Sequence, residues 1–354
     1  MSLAAAPARA QGYGADPTAD TDQLPDDQSA EPAPTPASAA ARPAPVTLGD
    51  SSGEPIYLSL ADSINNFGRF ADGGSDSNWY VGFDNAWVVK LPPAPAGGWT
   101  RAFVGAKLGR AKTEPRKDHP WEQRVIPGKV YVAVSQRPAF SSEQSFFLAD
   151  TGDIPLEPRD NSYLPGVGRS EWFWAEVPRA AVSTTGPNYV IIWSPTSEFR
   201  SAESAPILAA ADSLSPNAEP SAWNNHNIQG VPPRDEADSL PVPITLKPAL
   251  AIKLVPPAAS PVTLSAFSVR DGAQDVAVRF SVSGRDVELA WVESSDDQLE
   301  WTRVSGYRRE PPYIFSLPVE TVTGKGTWLR ARARDAWANE GTSAPLFVPG
   351  PEAP

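Results

Sequence analysis

GKGTWLRARARDAWANEGTSAP, residues 324–345, decides how this chain is read. From Thr327 to Asp335 the side chains alternate with a period of two. Leu329, Ala331 and Ala333 share one face, and Trp328, Arg330, Arg332 and Arg334 share the other. Successive side chains of an extended backbone point to opposite sides, so this pattern predicts a half-buried strand. It runs into Asp335-Ala-Trp-Ala-Asn339-Glu-Gly341, a run suited to tight turning, and a second strand closes at 345–348. The arginines read as the outer face, stacking on Trp328 and pairing with Glu288 or Glu293 of a neighbouring strand. Binding of an acidic partner is the alternative use of that row.

Working outward, the residues just upstream repeat the pattern. Val276, Val278, Phe280 and Val282 alternate with Ala277, Arg279, Ser281 and Ser283, and Val287, Leu289 and Trp291 alternate with Glu288 and Ala290. Further strands are expected at 266–269, 299–304 and 313–319, which makes residues 262–348 a seven-stranded sandwich with Trp291 as its core anchor. Pro256, Pro257 and Pro261 mark a hinge over 256–261. Before it, nine short strands are expected in residues 46–255, at 56–60, 79–83, 86–91, 101–108, 129–135, 145–148, 171–177, 189–194 and 249–255. Long loops at 113–123, 150–169 and 210–243 separate some of them, and a short helical turn is expected at 205–213. The fold class is therefore all-β: a large jelly-roll-like antiparallel sandwich followed by a small immunoglobulin-like one. Residues 1–45 have few large apolar side chains and read as a flexible acidic arm, and 349–354 as a tail.

The carboxy-terminal quarter resembles the immunoglobulin-like and fibronectin type III-like modules of bacterial secreted and surface proteins. The resemblance rests on V-x-V-x-F-x-V at 276–282, V-E-L-A-W-V at 287–292, the acidic turn 294–298 before Trp301, and L-R-A-R-A-R-D-A-W-A-N-E-G at 329–341. Related modules usually carry glycine just before the asparagine, where this chain has Ala338. The resemblance implies an immunoglobulin-like fold and export. It implies no catalytic residues, because such modules are usually spacers or binding units.

Composition narrows the classes. The 354 residues carry 30 basic against 42 acidic side chains, a net charge of −12. A nucleic-acid binder displaces counterions with a basic surface, and none is evident. An anionic membrane surface is disfavoured on the same ground, and no apolar run reaches the ~18 residues of a membrane span. With 40 prolines and 25 glycines, long helices are interrupted throughout. The chain has no cysteine, which excludes disulfides and thiolate metal sites. Ala8-Arg9-Ala10 before Gln11 has the small-x-small form of a signal-peptidase site, the expected tail of an export signal that begins upstream. An ordinary alanine-rich end is the alternative.

Three further constellations are candidates for chemistry. On the strand at 171–177, Trp172, Trp174 and Glu176 share a face, forming an apolar shelf with an acceptor on which a sugar ring could pack. A loop or the second sandwich covering that face is the alternative. Trp223, Asn224 and Asn225 offer an aromatic with amides, suited to a lectin-like site or to a plain turn. Asp72, Asp76 and Asp84 gather oxygens near one loop, where a structural Ca²⁺ is the only cofactor suggested. A solvated turn reads the same residues equally well. Catalytic signatures are missing: there is no G-x-S-x-G, P-loop, H-E-x-x-H or dinucleotide fingerprint, and His119 and His226 sit beside no nucleophile turn. The leading expectation is a non-catalytic secreted or cell-surface protein that binds carbohydrate or a surface protein through exposed tryptophans. A structural or adhesive subunit of an envelope or extracellular assembly comes second. A polysaccharide-acting glycosidase using Glu171 and Glu176 comes third.

Overall fold

Alternation sets the first sandwich. In Lys129–Ser135 the residues Val130, Val132 and Val134 are buried on one side, and Val190 and Ile192 of Asn188–Trp193 meet them. In this computed structural model, the described residues are 53–350 except 71–78, 142–143, 158–168, 213–220, 227, 234–239, 242–245, 258–260, 273–274 and 323. The export-signal remnant, the acidic arm, Asp72 and Asp76 lie outside them. One antiparallel sheet runs Leu240–Pro241, Ala222–Asn225, Ala86–Leu91, Asn188–Trp193, Lys129–Ser135, Ser145–Asp150. The facing sheet runs Ile56–Ser59, Leu250–Val255, Arg101–Gly109, Ile207–Asp212, Leu246–Pro248, with Arg69–Phe70 on Ile207–Asp212. Ser170–Val177 pairs along the free side of Arg101–Gly109, from Ala102↔Val177 to Gly109↔Ser170. The core between the sheets is filled by Trp87, Val89, Leu91, Val104, Leu108, Ile252 and Leu254 among others.

Strands appear at 86–91 and 129–135 with the expected bounds. The expected helical turn at 205–213 is instead the strand Ile207–Asp212. Its alanines favour helix locally, but Ala209, Ala210 and Ala211 are buried and the backbone pairs on both sides, so tertiary pairing wins. At 79–83 only Tyr80 makes a bridge, to Ile207. The neighbouring amides of Val81 and Phe83 bond loop carbonyls of Pro206 and Phe199 instead. The expected loop at 113–123 contains a hairpin, Thr113–Pro115 with Gln123–Val125, braced by Arg124 on Glu114 and by Arg116 on Asp118 and Glu122.

The second sandwich stacks a three-stranded sheet on a larger one. Thr263–Asp271, Asp275–Ser283 and Tyr313–Pro318 form the first. Thr302–Arg303, Val287–Ser295 and Thr327–Asp335 form the second, with Glu340–Thr342 and Leu346–Val348 both along Thr327–Asp335. Leu329, Ala331 and Ala333 are fully buried and face Val276, Val278, Phe280 and Leu317. The arginine row lies opposite, as its period requires. Arg330 and Arg332 both reach Glu293, and they stack on Trp301 and Trp291 rather than on Trp328.

Trp291 is buried as expected but lies outside the core of its sandwich. A register shift between Val287 and Leu289 inserts one residue into the ladder. A one-residue slip exchanges the faces of every following side chain. Ala290 and Val292 therefore enter the core, and Trp291 turns outward beneath Arg332. Its indole N–H donates to Glu293 Oε1 at 2.9 Å. The turn that follows Thr327–Asp335 is held by one carboxylate. Asp335 Oδ1 accepts from the amides of Trp337 (2.9 Å) and Asn339 (2.8 Å), and Oδ2 accepts from Asn339 Nδ2. Ala338 takes φ +59°, the left-handed conformation that glycine would enter without strain.

Candidate functional site

The strand Ser170–Val177 positions the site because its outward face is where the two sandwiches meet. All described residues fall within one compact unit. Trp172 and Trp174 stack at 4.9 Å with their planes 12° apart. Phe67 meets Trp172 edge-on at 5.7 Å, and Tyr57 lies 5.8 Å from Trp174. Trp174 then joins Phe103, Val255, Trp337 and Ala338 in an apolar cluster shared by the two sandwiches. Its ring rests directly on Gly105, where an added Cβ would lie 2.3 Å from the indole. Gly105→Ala should therefore cost about 1–3 kcal/mol by overpacking, read as a lower denaturation midpoint. An unchanged midpoint would show that both the ring and the Phe173 carbonyl, 2.5 Å from the same Cβ, give way freely.

Charged groups stitch the rest of the seam. Arg101 holds Glu176 through two bonds of 2.8 and 2.6 Å and donates a third to the Ala338 carbonyl at 2.7 Å. The hydrogen bond from Arg101 holds the Glu176 carboxyl below its usual range. Lys253, only 1% exposed, reaches Glu288 at 2.8 Å. Arg303 grips both oxygens of Asp153 at 2.6 and 2.8 Å. Arg309 donates to the Trp172 carbonyl at 2.8 Å and lies 3.3 Å from Glu171, and burial lowers its pKa.

Where the seam opens, it leaves a groove of about 810 Å³. Asp153–Leu156, Arg169 and Glu171 form one wall; Val304–Pro311, with Phe315 and Ser316, forms the other. Three carboxylates, Asp153, Glu171 and Glu310, face the same space as Arg169, Arg308 and Arg309. Glu171 is shared by Arg169 (3.0 Å) and Arg309, whereas Glu310 makes no ion pair among the described residues. Glu171 was the only one of these groups singled out from sequence. The others lie on turns, and the run Tyr307-Arg-Arg-Glu310 was the available signal.

The remaining candidates are placed elsewhere. Trp223, Asn224 and Asn225 lie on the buried strand Ala222–Asn225, paired with Ala86–Leu91 on one side and Leu240–Pro241 on the other. Asn224 Nδ2 donates to Asn85 Oδ1 at 2.6 Å, and Trp223 packs with Trp193 and Ile228. They knit a sheet and offer no open lectin-like surface. Asp84 accepts from the Tyr80 hydroxyl at 3.1 Å. Among the described residues no group of three or more His, Cys, Asp or Glu side chains is placed to hold a metal. His119 sits at the hairpin tip beside Asp118, edge-on to Trp121. Among the described residues no helix is long and apolar enough to cross a membrane.

No family model and no curated protein matches this chain. Solved structures similar to it include the glycoside hydrolase domain of Endo-D from Streptococcus pneumoniae (11% identity, TM-score 0.24, covering 75% of this chain and 33% of that one). Others are a β-1,2-glucanase from Parabacteroides distasonis (11%, 0.24, 76% and 30%) and a β-glucuronidase from Ruminococcus gnavus (10%, 0.23, 84% and 45%). The chain thus spans between a third and a half, or less, of the structures it matches. The expectation of a non-catalytic protein binding carbohydrate through exposed tryptophans is corrected. Trp174 is half-buried in the seam, Trp172 packs on Phe67 and donates to the Ile64 carbonyl of its own sandwich, Glu176 is tied to Arg101, and Trp223 is buried in its sheet.

Proposed function

We propose that this chain serves polysaccharide hydrolysis as a rigid two-sandwich body, with the groove between the sandwiches as the place where substrate meets protein. The observation that carries the reading is the seam. Its apolar cluster and cross-sandwich ion pairs fix the width of a groove lined by three carboxyl residues. Glycosidases work with two carboxyl groups across a cleft, one ionised and one able to deliver a proton. Glu171, held between two guanidiniums, supplies the carboxyl group on one wall. Glu310, which has no cation partner among the described residues, supplies the one on the other. Glu176, tied to Arg101, leaves the pair expected from sequence.

The small sandwich is, on the same reading, an immunoglobulin-like module, supported by its three-stranded sheet facing a larger one. Export of the protein belongs to the same proposal, supported by the small-x-small run at 8–10.

The test is release of reducing ends from a panel of polysaccharides by the full chain. Glu171→Gln and Glu310→Gln should each lower release by about 10²–10⁴-fold while leaving the melting temperature within a few degrees. Absence of release, or release untouched by either variant, would remove catalysis from this groove.

A further inference from the structure

The geometry points to an anion-recognising groove: the substrate this body accepts carries carboxylates, and Arg308 with Arg169 reads them. This deepens the proposed function and rests on it. The chain as a whole is strongly acidic, at −12, yet here Arg169, Arg308 and Arg309, with Arg303 behind Asp153, outnumber the carboxylates Asp153, Glu171 and Glu310 by one. Asp153 is neutralised from behind by Arg303, which holds both its oxygens. Glu171 is shared by Arg169 and Arg309, so one guanidinium charge there is left over. Arg308 has no carboxylate partner among the described residues; its guanidinium lies 5.5 Å from the Phe315 ring centre, a second wall residue. Its backbone is pinned by reciprocal bonds with Ala290, 2.9 and 2.7 Å, so the side chain projects from a fixed point.

A guanidinium offers paired N–H donors in a plane that matches a carboxylate's two oxygens. A neutral hydroxyl gains no comparable charge-assisted bond. Arg169, with a side chain 75% exposed, supplies a second reader on the opposite wall. Tyr307, partly exposed, lines the same space, with Arg303 stacked on its ring at 4.3 Å. The class of ligand is therefore a uronate-bearing glycan rather than a neutral one.

Equilibrium titration of the full chain with a galacturonate trisaccharide, against the same trisaccharide methyl-esterified at every carboxyl, separates charge from size. The acid form should bind at least tenfold more tightly, and raising salt from 50 to 500 mM should weaken it. Arg308→Gln and Arg169→Gln should each weaken it by about tenfold with unchanged melting temperature. Equal binding of acid and ester, or no binding of either, overturns the proposal, as does binding untouched by both variants. Because binding is read without turnover, neutral glycans cleaved by a chain that ignores uronate would leave the hydrolase reading standing and this one fallen.

Discussion

Glu288→Ala should destabilise the folded chain by about 3–5 kcal/mol at neutral pH, the cost of leaving a buried ammonium without its counter-charge. Lys253 lies in Leu250–Val255 and is almost fully enclosed. Its Nζ is 5.0 Å from the Trp174 ring and 5.4 Å from that of Phe103. Glu288, from the other sandwich, is the only carboxylate among the described residues that it pairs with. The sign of the pH dependence follows from burial, which disfavours the charged amine and lowers the Lys253 pKa below its ordinary 10.5. The unfolded chain then holds that proton more tightly than the folded one, so stability rises with pH across the window between the two values. In the variant, the loss should be full at pH 7 and shrink as pH climbs toward 10.5. Chemical denaturation at pH 7 and pH 10 measures both. Lys253→Met combined with Glu288→Leu should recover most of the loss, since a well-packed apolar pair replaces a buried ion pair at little cost. A Glu288→Ala chain with its midpoint unchanged at pH 7 would mean that water already reaches Lys253.

Sequence period revealed what depends on one strand at a time. Leu329, Ala331 and Ala333 were readable as core because their alternation is unbroken over nine residues. Val287–Ser295 misled because the alternation continues in the sequence while the backbone slips at the bulge, and nothing in the letters marks the extra residue. Ile207–Asp212 misled through alanine, whose local preference is helical until a sheet pairs it on both sides. The groove was the least legible part. Its ion pairs join residues 150 apart, as Arg303 to Asp153, and exist only because the sandwiches dock. Trp172 and Trp174 show the same limit in reverse: an apolar face on a strand reads identically whether sugar, a loop of its own sandwich or a second sandwich covers it.

Trp337→Ala tests whether that docking is one cooperative structure. Trp337 sits in the turn after Thr327–Asp335, outside the core of its own sandwich, and only 3% of it is exposed. Its ring packs with Phe103 and Val255 of the first sandwich, Arg285 covers it at 4.5 Å, and its indole N–H donates to the Gly53 carbonyl. Removing a buried tryptophan costs about 3–5 kcal/mol. Here the loss falls on the seam, because Val276, Phe280, Leu317 and Leu329 still fill the second core. The unaltered chain should melt in a single calorimetric transition. The variant should show two, with a larger radius of gyration in small-angle scattering as the sandwiches part. Trp121→Ala is the control: at 77% exposure it should shift stability by no more than about 0.5 kcal/mol. One unchanged transition in Trp337→Ala would show that the ion pairs alone hold the seam. Two transitions in the unaltered chain would mean that the groove has no fixed width, and the case for a rigid body would fall with it.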